Sequence, residues 1–168
     1  KAVPAKLAGN PGLAYERFLW RMRRENYPDA VVLLLERSDS PAALGRPELW
    51  AERRALLARW LMRKGEVRDA YRVAASHQMI GGDGFVDLEF LAGFIALRKL
   101  DDPDTALRHF AGLKAAVQTP ISLSRADYWT GRAMQAKGDA AGADAAYQAA
   151  AQHQTAYYGQ LAGEKLGL

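Results

Sequence analysis

The chain contains no cysteine. A disulfide framework, a thiol nucleophile and a zinc–thiolate site are therefore excluded. No apolar run approaches the roughly 20 residues needed to cross a bilayer, so a transmembrane chain is not expected. Strand-forming runs are scarce, while Ala, Leu, Arg and Glu, all good helix formers, dominate. The opening Lys1-Ala-Val-Pro-Ala-Lys6 lacks the apolar stretch of a signal peptide. Either a signal has been removed or the chain begins inside a longer protein.

Recognisable catalytic and ligand motifs are missing as well. His77, His109 and His153 have no i, i+4 partner and no ligand-spaced acid, so no metal site is expected. Gly81-Gly82-Asp83-Gly84 lacks the Lys-Ser/Thr and the preceding strand of a phosphate loop and reads as a flexible connection. Asp101-Asp102-Pro103-Asp104 lacks calcium-loop spacing and reads as a helix cap. There is no Gly-x-Ser-x-Gly, and no Ser-His-Asp set can be placed. No cofactor is implied.

What is present is helical punctuation. Proline is well tolerated at the first helical position, where its missing N–H would be unpaired anyway. Asn10-Pro11, Tyr27-Pro28, Arg46-Pro47, Asp102-Pro103 and Thr119-Pro120 therefore mark helix starts, with Asn10, Asp102 and Thr119 as N-caps. Gly65 and Gly138 separate one helical pattern from the next. The expected helices are 11–24, 28–37, 46–64, 66–78, 85–99, 103–117, 120–137, 139–152 and 155–166, with one extra turn near Pro41-Ala-Ala-Leu44. Residues 1–10 read as a flexible or linking segment ahead of a single helical-repeat domain that spans 1–168.

The helices recur in pairs. Tyr128-Trp129-x-Gly131, Lys137-Gly138-Asp139 and Ala143-x-x-x-Tyr147 follow the tetratricopeptide pattern of a small residue, a glycine turn, then alanine and an aromatic. Ala30, Ala70, Ala106 and Ala143 repeat the frame at spacings of 40, 36 and 37 residues. The expected fold is all-α, a superhelical solenoid of antiparallel helix pairs. Segment 85–97 is apolar around most of its circumference, as a helix buried on two sides would be. Trp20, Trp50, Trp60 and Trp129 are expected to fill gaps between helices.

Charge is uneven. Residues 1–80 hold 15 Lys+Arg against 9 Asp+Glu, whereas 81–168 hold 8 against 10. Arg17, Arg21 and Arg24 fall on one helix stripe, and Arg59 and Arg63 on another. Such stripes suit a polyanionic or acidic partner. No nucleic-acid motif accompanies them, so nucleic acid is not expected. Guanidinium groups serve a peptide or glycan groove equally well, because they grip carboxylates with two prongs.

Three segments carry a family resemblance: Asn10-Pro-Gly-Leu-Ala-Tyr-Glu-Arg-Phe-Leu-Trp20, Thr119-Pro-Ile-Ser-Leu-Ser-Arg-Ala-Asp-Tyr-Trp129-Thr-Gly-Arg-Ala133, and Ala156-Tyr-Tyr-Gly-Gln-Leu-Ala-Gly-Glu-Lys-Leu-Gly167. With Asp87–Leu97 and Thr105–Phe110, they resemble the helical superhelix of bacterial soluble lytic transglycosylases. In that family a lysozyme-like domain follows and cleaves peptidoglycan glycan strands without water, leaving a 1,6-anhydro sugar. The resemblance implies a periplasmic, non-catalytic module ending just before that domain, which positions glycan strands or shapes the enzyme. The family's catalytic Glu precedes Ser, and no Glu here does; its Gly-Leu-Met-Gln signature is also missing. No catalytic residue carries over. The rival expectation is a stand-alone tetratricopeptide-like scaffold for a protein or peptide. By analogy with the repeat frame, the concave ligand-facing positions include Arg59, Arg63, Tyr128 and Arg132, which would hold stem-peptide carboxylates and a sugar face. The competing expectation pairs Arg59 and Arg63 with Glu52 and Glu66, and packs Tyr128 between repeats.

Overall fold

The computed structural model describes residues 3–168, which form ten α-helices and no strand. They are α1 (Pro11–Arg23), α2 (Tyr27–Arg37), α3 (Pro41–Leu44), α4 (Pro47–Arg63), α5 (Val67–Ala75), α6 (Asp83–Lys99), α7 (Pro103–Ala115), α8 (Pro120–Ala136), α9 (Ala140–Ala151) and α10 (Tyr157–Lys165). Six begin on a proline in the first two positions, as the punctuation requires. Asn10, Asp102 and Thr119 cap α1, α7 and α8 by accepting from the backbone N–H three residues on. Of the N-terminal segment, Ala5–Leu7 form a short 3-10 turn, and residues 1 and 2 lie outside the described part.

Most boundaries shift from expectation by one to three residues, and two of the shifts have a local cause. Helix α5 stops at Ala75, because Ser76 caps it and turns its hydroxyl back to the Arg72 carbonyl at 2.7 Å. Helix α6 starts at Asp83, ahead of Phe85, with that carboxylate in its first turn, where the helix dipole favours negative charge.

The chain divides into two compact units after Leu88, within α6. In the first, α1 packs on α2 and α4 on α5. Arg21 Nη1 donates to the Asp29 carbonyl at one end of the α1–α2 pair, and Arg37 donates to the Gly9 carbonyl at the other. The two helices therefore run antiparallel. Phe18 and Trp50 stack within the core, their centroids 4.8 Å apart, and both are fully buried. Trp50 satisfies its indole by donating to the Leu44 carbonyl, so the short α3 turn is tied to α4. Trp20 departs from the expected gap-filling role: it is 53% exposed. The inward stripe of α1 is Ala14, Phe18 and Met22, and helical spacing leaves Trp20 on the opposite side.

In the second unit α7 packs on α8, and α8, α9 and α10 pack on one another. Glycine sets the approach in two places. A Cβ on Gly131 would lie 2.6 Å from the Tyr147 ring, and one on Gly93 would lie 2.5 Å from the Phe110 ring. Gly131 follows Gly93 by 38 residues and Tyr147 follows Phe110 by 37, so one glycine-against-ring contact is made twice at the repeat spacing.

Candidate functional site

Arg59 and Arg63 lie one turn apart on α4, and both are exposed. Neither forms the expected ion pair: Glu66 is taken by Lys64 at 3.2 Å, and no acid bridges Arg59 or Arg63 among the described residues. Arg59 lines a groove of about 380 Å³ along α4 and the start of α6, with Glu48, Glu52, Met79, Asp83 and Asp87 also in its wall. Ala51 and Gly84 form its narrow part, since a Cβ on Gly84 would lie 2.7 Å from that of Ala51. Around Arg59 the groove is thus more acidic than basic. That suits a cationic group better than a carboxylate.

Tyr128 and Arg132 sit one turn apart on α8, in the second unit. Tyr128 is buried, with Tyr147, Tyr158 and Trp129 around it at centroid distances of 5.7, 5.3 and 5.8 Å. Its ring face is occupied by protein. The Arg132 guanidinium lies over the Trp129 ring at 5.7 Å and donates to the Tyr128 hydroxyl at 3.3 Å. Arg132 also reaches a cleft of about 330 Å³ lined by Arg98, Asp101, Gln135 and Lys165. Arg98 and Lys165 lie in the last turns of their helices, so these two cations also offset the helix dipoles. Each arginine–neighbour pair belongs to its own unit. No family model, curated protein or solved structure matches this chain.

The residues of the resemblance segment 156–167 serve packing. Tyr158 stacks beside Tyr128 and Trp129, Ala162 is fully buried, and a Cβ on Gly159 would run into the His153 carbonyl. Tyr147 donates from its hydroxyl to Gln135 Oε1 at 3.0 Å, and burial holds that phenol above its ordinary range, as a neutral donor.

Sequence reasoning missed a fully buried arginine. Arg54 has no exposed surface; its Nη1 donates to the Val73 carbonyl at 2.9 Å and to Ser76 Oγ at 3.1 Å, and its Nη2 to Ser38 Oγ at 2.8 Å. These acceptors belong to the C-terminal turns of α2 and α5, where unpaired carbonyls and the helix dipole favour a cation. Burial pulls the guanidinium down to about 10, and it stays charged at neutral pH. The signal lay in the spacing: Trp50, Leu57, Ala58 and Leu61 define an apolar stripe, and position 54 falls in it.

The histidines hold packing positions too. His109 Nδ1 lies 3.0 Å from Glu89 Oε2, joining α7 to α6, and His77 accepts from the Met79 N–H while its ring meets Phe85 edge-on. Lys114 donates to the buried Asp127 at 2.6 Å, joining α7 to α8. No group of three His, Asp or Glu side chains that could hold a metal occurs among the described residues.

Proposed function

We propose that this chain is a non-catalytic, tetratricopeptide-like superhelical module of a periplasmic peptidoglycan lytic transglycosylase. Its role would be to position glycan strands beside a lysozyme-like domain carried elsewhere in the parent protein. The observation that carries the reading is the repeated contact of Gly93 with Phe110 and Gly131 with Tyr147. The segments that resemble the family supply Gly93, Phe110 and Gly131 of these contacts and the Tyr128–Trp129–Tyr158 cluster. In this reading they serve architecture, and cleavage chemistry is supplied by the other domain.

The test is the coding sequence beyond Leu168 together with an activity assay. A lysozyme-like domain with Glu-Ser and Gly-Leu-Met-Gln is expected downstream. The isolated chain is expected to release no anhydromuropeptides from purified sacculi. A stop codon directly after Leu168 would replace this reading with that of a stand-alone scaffold for a protein or peptide.

A further inference from the structure

The outward face of α1 has an unusual composition. Trp20 is 53% exposed, and Arg17, Arg21, Arg23 and Glu16 join it around a shallow recess of about 490 Å³. Arg24, just past the helix end, lays its guanidinium 4.4 Å from the centre of the Trp20 ring. Arg17, Arg23 and Arg24 are exposed and make no ion pair with the described residues. Arg21 is half-buried and anchored on the Asp29 carbonyl. Four cations and one carboxylate therefore surround an exposed indole.

We propose that this face binds an acidic peptide segment of a partner protein, with two carboxylates on one side of an extended backbone and an apolar side chain beside them. Composition and spacing both support it. Trp and Arg are the side chains that most often carry binding energy at protein interfaces. Arg17 and Arg21 are four residues apart, about 6 Å along the helix axis. Side chains two residues apart on an extended strand project to the same side about 6.6–6.8 Å apart. An acidic-x-acidic segment thus presents one carboxylate to each guanidinium, and Arg geometry permits two-pronged contacts. Trp20 and the stacked Arg24 offer an apolar plane edged by charge for the neighbouring side chain. A membrane surface fits less well, since no other exposed large apolar residue lies in α1 to anchor beside Trp20. This inference is independent of the peptidoglycan reading, because it uses a different face and a different ligand.

The experiment uses the full chain and the labelled probe Ac-Gly-Glu-Ala-Glu-Phe-Gly-NH2, with a Gln-for-Glu version as control. Binding is followed by fluorescence anisotropy and by the Trp20 indole N–H resonance, assigned through Trp20→Phe. The acidic probe is expected to bind, to shift that resonance and to weaken as salt rises. Trp20→Ala and Arg17→Glu/Arg23→Glu should each weaken it at least about tenfold while leaving the circular dichroism unchanged, because these side chains are exposed. No binding up to about 1 mM probe overturns the proposal. So does equal binding of the control, or insensitivity to both variants. Tighter binding of phosphatidylglycerol vesicles or single-stranded DNA, lost in the same variants, overturns it in favour of that ligand.

Discussion

Arg54 Nη2 donates to Ser38 Oγ at 2.8 Å, and both residues are buried. The bond belongs to a clamp in which one guanidinium serves the ends of two helices. Arg54→Met keeps much of the volume and removes every donor. The cost of burying the charge disappears, but the acceptors in the α2 and α5 end turns lose their partner. A net loss of about 1–3 kcal/mol is expected. Arg54→Lys should also destabilise, because an ammonium cannot span both helix ends as the planar fork does. Urea unfolding at pH 7 reads both variants. The guanidinium titrates near 10, far above neutrality, so the deficit should stay flat from about pH 5 to pH 9. Midpoints equal to wild type would show that the clamp does not support the fold.

Helix positions were legible because proline, N-caps and glycine act locally. Pro11, Pro47, Pro103 and Pro120 fix helix starts with no help from tertiary structure. The fate of a charged side chain is not local. Helical spacing places Arg54 in the apolar stripe of α4, but only the packed ends of α2 and α5 supply the acceptors that let a guanidinium be buried there. Trp20 shows the converse, since an aromatic preference for burial is overruled by its place opposite Ala14, Phe18 and Met22. Of the candidate site, the helix faces were readable from spacing, but the neighbours were not. Nothing near Arg59 in sequence signals that Asp83 and Asp87 share its groove.

The glycine contacts are directly testable. Gly131→Ala places a methyl against the Tyr147 ring and should cost about 1–3 kcal/mol by overpacking. Gly163→Ala, in α10, is the control: its Cβ would find its nearest neighbour at 4.0 Å, and the helix should gain about 0.5–1 kcal/mol. Combining Gly131→Ala with Tyr147→Leu should cost less than the sum of the two single changes, since the smaller side chain admits the methyl. Additive thermal unfolding energies would sink the close-contact account.

Asp102 provides a pH prediction. It caps α7 through the Thr105 N–H at 3.0 Å, and hydrogen bonds from Thr105, side chain first and then backbone, hold its carboxyl below the usual carboxylate range. A carboxylate depressed in the folded state contributes stability that is fully present above the unfolded value near 3.8 and is lost as pH falls through the folded value. Asp102→Ala should cost about 1 kcal/mol at pH 7. The difference from wild type should shrink below about pH 4 as the carboxylate is protonated. A difference that persists at pH 2 would mean that the cap acts without its charge.

The four positions expected to face a ligand divide by what they touch. Arg59 and Arg63 are exposed and make no ion pair with the described residues, so Arg59→Ala/Arg63→Ala should change unfolding free energy by no more than about 0.5 kcal/mol. Arg132 lies over Trp129 and bonds to the Tyr128 hydroxyl, so Arg132→Ala should cost about 1 kcal/mol. Tyr128→Phe keeps the ring packing and removes the acceptor, so made alone it should reproduce part of that loss. The stability-neutral Arg59/Arg63 variant is then the clean probe of peptidoglycan retention. If exposed guanidinium groups grip stem-peptide carboxylates, that variant is retained less on purified sacculi at physiological salt, and the gap to wild type closes as salt rises. If wild type and variant are retained alike while Arg132→Ala is not, the α4 arginines are only a solvated face, and any glycan contact belongs to the cleft beside Arg132.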